Sequence, residues 1–141
     1  MTAGYSGTPL VRKIGIKENC TLVLVGAPAG WTMGELPAGV RVSRERRTGK
    51  ATGADIVVAF FGDLATLSRE VPRLSRTIVP DGALWVAWPR RAAGRASDIT
   101  DNSIRAVALP LGLVDVKVAA VDDTWSGLKL VWRKELRPGL V

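Results

Sequence analysis

Two adjacent arginines, Arg90 and Arg91, are the residues whose type and position best suit them to bind a ligand. They follow an apolar segment that ends at Trp88, and a guanidinium group can hold a phosphate or carboxylate through two parallel hydrogen bonds. No acidic residue lies between Trp88 and Ala96 to neutralise them. The segment therefore predicts an anion-binding site, with the alternative that both arginines are solvated on a loop of a basic protein.

Two tryptophans and two glycines complete this candidate site. Trp31 and Trp88 are candidate walls, and Gly26 and Gly30 follow a second apolar segment, where they would let a ligand approach the backbone. The chain has no histidine and one cysteine, Cys20, which excludes histidine catalysis, histidine-containing or cysteine-based metal sites and disulfides within the chain. With no paired carboxylates evident, the residues favour binding over acid–base catalysis, and they identify no metal and no cofactor.

Asp122 and Asp123 are the only adjacent acidic pair near an aromatic residue, Trp125. In a strand their side chains would point to opposite faces, so they could not act as an acid–base pair. Within a tight turn, aspartates more often accept hydrogen bonds from their own backbone. We therefore predict a turn here, with Trp125 either folded back over the sheet edge or packed in the core.

The elements that must position these residues alternate between strands and helices. Continuous apolar runs predict buried parallel strands at Cys20 to Val25, Ala54 to Phe61 and Ala83 to Trp88. The shorter, alternating run Val40 to Ser43 predicts a strand near an edge. Leu113 to Val121 and Leu128 to Lys134 predict an antiparallel hairpin.

Helical signals lie between the strands. Thr8 and Pro9 predict the start of a short helix that ends near Ile14. The spacing from Leu64 to Ile78 predicts a helix that Pro72 kinks or splits. Caps at Ser97 or Thr100 and a stop at Gly112 predict another helix. Its predicted buried stripe consists of Ile104, Val107, Ala108 and Leu111.

This order predicts one α/β domain over residues 1–141, with a Rossmann-like, mostly parallel sheet, helices on both faces and a C-terminal antiparallel hairpin. Ligands of such sheets bind beyond the carboxyl ends of the strands. That rule selects the loops Ala27 to Trp31, Gly62-Asp63 and Pro89 to Arg95. We expect helix N-termini in these loops to add free N–H groups and partial positive charge.

The charge of the chain raises a second kind of partner. Twenty Lys and Arg against thirteen Asp and Glu give a net charge of +7. The basic segment Arg44–Lys50 could contact a phosphate backbone, although a solvated loop is the commoner reading and nucleic acid is not favoured. No apolar run approaches the ~20 residues of a membrane span and the start lacks an apolar leader, which predicts a cytoplasmic protein without membrane contact.

The order of elements resembles the class I S-adenosylmethionine-dependent methyltransferase fold. The family often carries an Arg-x-Leu-x-Pro-Gly-Gly-like turn before an apolar strand, and Arg76, Pro80 and Gly82 match it, with Ile78 and Asp81 as variants. The resemblance implies a site for S-adenosylmethionine beyond the first two strands, built from a glycine-rich loop and an acid for the ribose hydroxyls.

Four departures from that pattern concern the cofactor. The first strand leads to no acid, and Pro28 in the following loop has no N–H. The second strand ends in Ser43-Arg44, with Glu45 only close by, and a strand–helix unit is missing before Ala54. We therefore predict that S-adenosylmethionine does not bind in the family's usual way.

Three motifs also resemble an uncharacterised family of small bacterial proteins, a domain of unknown function for which the resemblance implies no activity. They are Tyr5 to Leu10, Leu84 to Pro89, which runs on into Arg90-Arg91 where the family often has Pro-Lys-Lys, and Ala120 to Leu128. We expect a small Rossmann-like domain that binds an anionic metabolite or nucleotide at the carboxyl edge, without intact methyltransferase motifs. The alternatives are a basic nucleic-acid or protein interaction module and a divergent S-adenosylmethionine-dependent methyltransferase.

Overall fold

A computed structural model describes residues 9–45, 53–90 and 97–140 of the chain. These residues form six strands and three α-helices, together with two 3₁₀ segments at Leu109–Leu111 and Lys134–Leu140. The strands are β1 Thr21–Val25, β2 Arg41–Glu45, β3 Ala54–Phe60, β4 Ile78–Pro89, β5 Leu113–Ala120 and β6 Trp125–Trp132. The helices are α1 Leu10–Ile14, α2 Leu64–Ser75 and α3 Asp101–Ala108.

The six strands form one mixed sheet in the order β2-β1-β3-β4-β6-β5. The first four run parallel, and β6 pairs antiparallel with both β4 and β5. This confirms the predicted Rossmann-like sheet, its three central apolar strands and its C-terminal hairpin. The chain leaves β1 toward β2 on one side and β3 toward β4 on the other, so the topological switch point lies between β1 and β3.

Helices cover both faces of the sheet because alternate strand residues are apolar on both sides. On one face, Val23 and Val25 of β1 belong to the core that α2 and α3 cover. On the other face, Leu22 and Leu24 join the core beneath α1 and the β1–β2 connection. The indole Nε1 of buried Trp85 donates to the carbonyl of Ile14 at 3.1 Å, which fixes the end of α1 to the sheet.

Local capping chemistry starts α3 where the sequence predicted, but α3 ends at Ala108, and the predicted stop at Gly112 ends the 3₁₀ turn that follows it. Thr100 is the N-cap, and its side chain and that of Ser103 form a capping box. The 3₁₀ turn after α3 ends at Gly112, whose φ of 102° is the left-handed conformation that glycine adopts readily. Thr8, the predicted cap of α1, lies outside the described residues, while α1 ends at Ile14 as predicted.

Pro72 does not split α2, which is one helix of twelve residues. The proline lies in the last turn, three residues before the helix ends, so only one backbone hydrogen bond within the helix is lost there. Of the two predicted effects of Pro72, a kink or a split, the split was therefore wrong. The buried stripe of this helix includes Leu67, Val71 and Leu74, as the spacing predicted.

Strand β4 begins five residues earlier than predicted. It runs through Pro80-Asp81-Gly82, which the sequence suggested was a turn before the strand. The register of β4 against β3 shifts between Ala54 and Ile56, and this irregularity accommodates the insertion. Gly82 packs so closely there that a Cβ atom would lie 2.8 Å from the backbone oxygen of Asp55.

The connection from β1 to β2, residues 26–40, contains no helix. The expected helix N-terminus in the loop after β1 is therefore absent, and that expectation was wrong. Instead, Trp31, Met33, Leu36 and Val40 of this connection pack against the core beside α1. Within the described ranges, no helix has the length and apolar character needed to cross a membrane.

Candidate functional site

An open groove of about 620 Å³ lies at the carboxyl ends of β1 and β2. We call it the β1–β2 groove, and it is lined by Leu24, residues 26–30, Arg44 and Glu45. Its volume is within the range of small-molecule sites. The groove lies next to the topological switch point, the position at which sheets of this kind bind ligands.

Glu45 stands at the end of β2, level with the glycine-containing loop. Its Cα pairs with that of Val25, the last residue of β1, and its carbonyl accepts a hydrogen bond of 2.8 Å from the N–H of Gly26. The side chain of Glu45 is half-buried. The strand therefore ends at Glu45 and not at Ser43-Arg44 as predicted, so that an acid does stand at its end.

A signal for Glu45 was present in the spacing of the chain. In dinucleotide-binding folds, an acidic residue about 20 positions after the glycine-rich turn reaches the ribose hydroxyls. Glu45 follows Gly26 by 19 positions. The end of β2 could not be located from the sequence pattern, because its residues are mostly charged or exposed. Its pairing with the five residues of β1 is what defines where β2 ends.

Gly26 and Gly30 shape the loop that lines the groove. Their φ angles are 68° and 74°, in the left-handed region that favours glycine. Apart from its chain neighbours, no heavy atom of the described residues lies within 4 Å of the position a Cβ would take on Gly30. Pro28 lies between them and supplies no N–H, as the sequence analysis stated.

Trp31 anchors the far end of this loop to the rest of the molecule. Its carbonyl accepts a hydrogen bond from the guanidinium of Arg44, and its indole Nε1 donates to Asp122 Oδ2 at 3.0 Å. Its ring packs edge-on against Phe60, with centroids 4.9 Å apart, and Phe60 packs in the same way against Trp125 at 5.1 Å. The wall of the groove is thereby fixed to the β5–β6 turn.

Asp122 organises that turn. Its Oδ1 accepts hydrogen bonds of 2.8 Å from the backbone N–H groups of both Thr124 and Trp125. This confirms the predicted turn, in which Asp122 alone of the acidic pair accepts side-chain hydrogen bonds among the described residues, and Trp125 is buried, which is the core-packing alternative. The bond to Trp31 spans 91 positions of sequence, and no local pattern could have indicated it.

A second pocket, of about 370 Å³, lies at the carboxyl end of β4. We call it the β4 pocket, and its lining is Trp88, Pro89, Arg90, Ser97, Ile99, Thr100, Asp101 and Ser126. Arg90 is half-buried and tied to the hairpin turn, since its N–H donates to the carbonyl of Thr124 at 2.8 Å and its Nη1 to that of Asp122 at 3.1 Å. Arg91 lies outside the described residues.

The structure places four of the six predicted site residues in these two pockets, while Trp31 lines neither and Arg91 lies outside the described residues. Gly26 and Gly30 line the β1–β2 groove, whereas Trp88 and Arg90 line the β4 pocket. Trp88 packs against the core beneath α2 and α3, and Trp31 against the core on the α1 face. The two indoles therefore do not face each other across one pocket.

The helix N-termini at this edge already hold carboxylates of the protein. At the start of α2, Asp98 accepts from the N–H of Leu64 and Asp63 from that of Thr66, each at 2.8 Å. The hydrogen bonds from Thr66 hold the pKa of Asp63 below its usual value. Because these carboxylates occupy the donors that a phosphate would use, α2 does not supply the expected anion site.

The described residues offer no metal site. No group of three or more Cys, Asp or Glu side chains among them is arranged to hold a metal ion. The groove contains one carboxylate and one guanidinium, which suits hydrogen bonding to hydroxyl and acidic groups of an organic ligand.

No model of a protein family matches the chain, and no curated protein matches its sequence. The resemblance to an uncharacterised family of small bacterial proteins therefore stays a prediction. Many solved structures share the fold, and three of them are described here.

A SAM-dependent methyltransferase from Aquifex aeolicus is 14% identical, with a TM-score of 0.59 and 86% of each chain covered. Fibrillarin from Aeropyrum pernix, in complex with natively bound S-adenosyl-L-methionine, is 15% identical, with a TM-score of 0.60 over 91% of this chain and 70% of that one. Magnesium protoporphyrin IX methyltransferase from Synechocystis PCC 6803, with bound SAM, is 10% identical, with a TM-score of 0.61 over 88% and 74%. These similarities support the predicted methyltransferase-like fold.

Proposed function

We propose that the protein binds a nucleoside or nucleotide metabolite in the β1–β2 groove. The observation that carries this proposal is the position of Glu45, which places a carboxylate at the end of β2 beside the loop that begins at Gly26. A carboxylate has two acceptor oxygens, and the neighbouring hydroxyls of a ribose are two donors at matching separation. The glycine conformations of the loop would let the base or the sugar lie against the backbone.

Arg44 supplies the positive charge expected of a site for an anionic metabolite. Its guanidinium uses one N–H group for the carbonyl of Trp31 and is otherwise exposed at the mouth of the groove. The remaining donors suit a phosphate or carboxylate attached to the nucleoside. Arg44 pairs with Leu24 and Glu45 with Val25, so the two side chains leave the strand on opposite faces and would contact different parts of one ligand.

S-Adenosylmethionine is a nucleoside metabolite, and the fold neighbours favour it as one member of this ligand class. Glu45 removes one of the four departures that argued against it, while the missing acid after β1, Pro28 and the short connection after β2 remain. Methyl transfer is accordingly the second candidate function. It is supported by the position of Glu45, which suits the ribose hydroxyls of the cofactor. When bound, the cofactor would supply the methyl group, and Glu45 would orient the sugar.

The first experiment is a thermal-shift titration of the whole protein with adenosine, adenosine monophosphate, S-adenosylmethionine and inorganic phosphate. A ligand at 100 times its dissociation constant stabilises the folded state by about 2.7 kcal/mol. We expect stabilisation by the nucleosides, and its loss in Glu45→Gln. The matched control is Glu135→Gln, the same change at an exposed glutamate beyond the end of β6.

The outcomes separate the proposals. Stabilisation by the nucleosides that survives Glu45→Gln would contradict binding in the β1–β2 groove. Stabilisation by phosphate alone, lost when Arg90 and Arg91 are both changed to alanine, would instead support the anion site predicted at the β4 pocket. Incorporation of methyl groups from S-adenosylmethionine into an added acceptor would support the second candidate.

A further inference from the structure

The solvent face of α2 carries three arginines and no exposed acid. Arg69, Arg73 and Arg76 are separated by four and three positions, so they lie on one side of the helix, Arg76 being its C-cap. The buried stripe that includes Leu67 and Val71 occupies the opposite side. The side chains of Arg69 and Arg73 are 62% and 63% exposed, and Arg76 is exposed as well. We call these three residues the α2 arginine stripe.

Glu70 holds two members of the stripe next to each other. It is the only acidic residue of α2, and its side chain is only 7% exposed. One oxygen, Oε2, lies 3.7 Å from Nε of Arg69 and 3.6 Å from Nη1 of Arg73. Each guanidinium carries further N–H groups that this carboxylate does not contact. The buried acid therefore positions two planar donor groups and leaves most of their donors for an external acceptor.

Most other described arginines are used within the fold. Arg105 bonds to Asp101 and Asp115, and Arg90 to the carbonyl of Asp122. Four more donate to acceptors on neighbouring elements, namely Arg41, Arg44, Arg133 and Arg137. In the part of the chain that the structure describes, Arg76 has no ion-pair partner. The α2 arginine stripe is thus a cluster of positive charge, and most of its N–H groups are not used for contacts within the fold.

We propose that the α2 arginine stripe binds the phosphate backbone of a nucleic acid without reading its sequence. Its two ends, Arg69 and Arg76, are seven positions apart, or about 10 Å along the helix axis at 1.5 Å per residue, which is enough to contact successive phosphates of one strand. Guanidinium groups bind phosphate oxygens bidentately. The net charge of +7 adds long-range attraction to a polyanion. This surface is separate from the β1–β2 groove, so the inference stands independently of the proposed function.

The surroundings of the stripe favour a nucleic acid over a membrane or a protein partner. The other solvent-facing residues near it are small or polar, such as Ala65 and Ser68. The exposed large hydrophobic side chains of the described residues all lie elsewhere, at Val42, Leu109, Val116, Val118 and Leu136. A membrane-surface helix inserts large apolar side chains beside its basic ones, and protein interfaces bury an apolar centre. A contact made by charge alone suits a phosphate backbone.

The test measures the salt dependence of binding. Fluorescence anisotropy of labelled 20-nucleotide RNA and DNA, each single-stranded and duplex, is recorded between 50 and 200 mM KCl. The test variant combines Arg69→Gln, Arg73→Gln and Arg76→Gln. The control combines Arg12→Gln, Lys17→Gln and Lys134→Gln, three exposed cations that lie outside α2, and loses the same net charge.

We expect the slope of log K against log salt to fall by about 2 to 3 in the stripe variant, because each phosphate contact contributes about 0.7 for single strands and 0.9 for duplexes. At 50 mM KCl its affinity should fall at least tenfold, whereas the control should change less than threefold. Arg76→Gln alone, which leaves the pairs with Glu70 intact, should lower the slope by about 1. Far-ultraviolet circular dichroism confirms that each variant is folded.

Three results would overturn the proposal. Equal losses in the stripe and control variants would mean that only the net charge matters. A slope that falls on changing Arg46 and Arg47 to glutamine, but not in the stripe variant, would assign binding to the basic segment Arg44–Lys50. Absence of wild-type binding to every nucleic acid at 50 mM KCl, or preferential binding to vesicles of anionic lipid, would reject a nucleic-acid partner for α2.

Discussion

Replacing Asp122 with alanine removes three hydrogen bonds at one point. The two N–H groups of Thr124 and Trp125 lose their acceptor, and so does the indole of Trp31. Bonds to a charged acceptor contribute about 1.5–3 kcal/mol each when they cannot be replaced, but water can reach this half-buried turn. We therefore expect the free energy of unfolding to fall by about 2–4 kcal/mol in total.

The measurement is thermal and urea denaturation followed by circular dichroism. An unfolding entropy of about 2.1 cal/mol/K per residue gives about 0.3 kcal/mol/K for 141 residues, so Tm should fall by about 7–13 °C. Asp123→Ala is the matched control, because Asp123 is the neighbouring residue, is exposed and makes no hydrogen bond among the described residues. It should change stability by less than about 0.5 kcal/mol.

A double-mutant cycle isolates the contact between the groove loop and the hairpin. Trp31→Phe keeps an aromatic ring against Phe60 but removes the donor to Asp122. Its cost should be smaller by about 1 kcal/mol in the Asp122→Ala background than in the wild type. Equal effects of Asp122→Ala and Asp123→Ala, or additive effects of Trp31→Phe and Asp122→Ala, would refute the role assigned to this carboxylate.

Two further predictions concern packing and pH. Gly82→Ala should lower the free energy of unfolding by about 1–3 kcal/mol, because its Cβ would meet the backbone oxygen of Asp55. Gly62→Ala should be tolerated, because among the described residues no atom beyond its chain neighbours lies within 4 Å of its Cβ position, and equal urea midpoints for the two variants would contradict this. The hydrogen bond from Arg105 lowers the pKa of Asp115, so its stabilisation is present above the unfolded value near 3.9 and is lost as pH falls through the lower folded value. Asp115→Asn should therefore flatten the loss of stability below about pH 4 in acid titrations of Tm, and an unchanged acid limb would argue against this pair.

Local chemistry was sufficient to predict most of the fold. Uninterrupted apolar runs gave β1 and β3 to within one residue, because burial on both faces leaves no place for a polar side chain in a central strand. Thr100 and Gly112 marked the start of α3 and the stop after it, since caps act on the backbone within a few residues. The end of β2 could not be found in this way, because the strand is exposed and its length follows from pairing with β1.

The candidate site depended on contacts that no short segment specifies. Trp31 meets Asp122 only because the β1–β2 connection lacks a helix and packs across the sheet. The separation of Trp31 from Trp88, by contrast, follows from strand alternation. Trp85 lies on the α1 face, so Trp88, three residues later in the same strand, lies on the other.

The role of Glu45 is tested most directly by calorimetric titration with adenosine and 2′-deoxyadenosine, which differ by one ribose hydroxyl. A hydrogen bond to a carboxylate contributes about 1.5–3 kcal/mol, so the wild type should bind adenosine at least tenfold more tightly than the deoxy form. Glu45→Gln should lose most of that preference, and Glu135→Gln should keep it. A wild type that binds both nucleosides equally, or a Glu45→Gln variant that retains the full preference, would contradict the assignment of Glu45 as the ribose-binding residue of the groove.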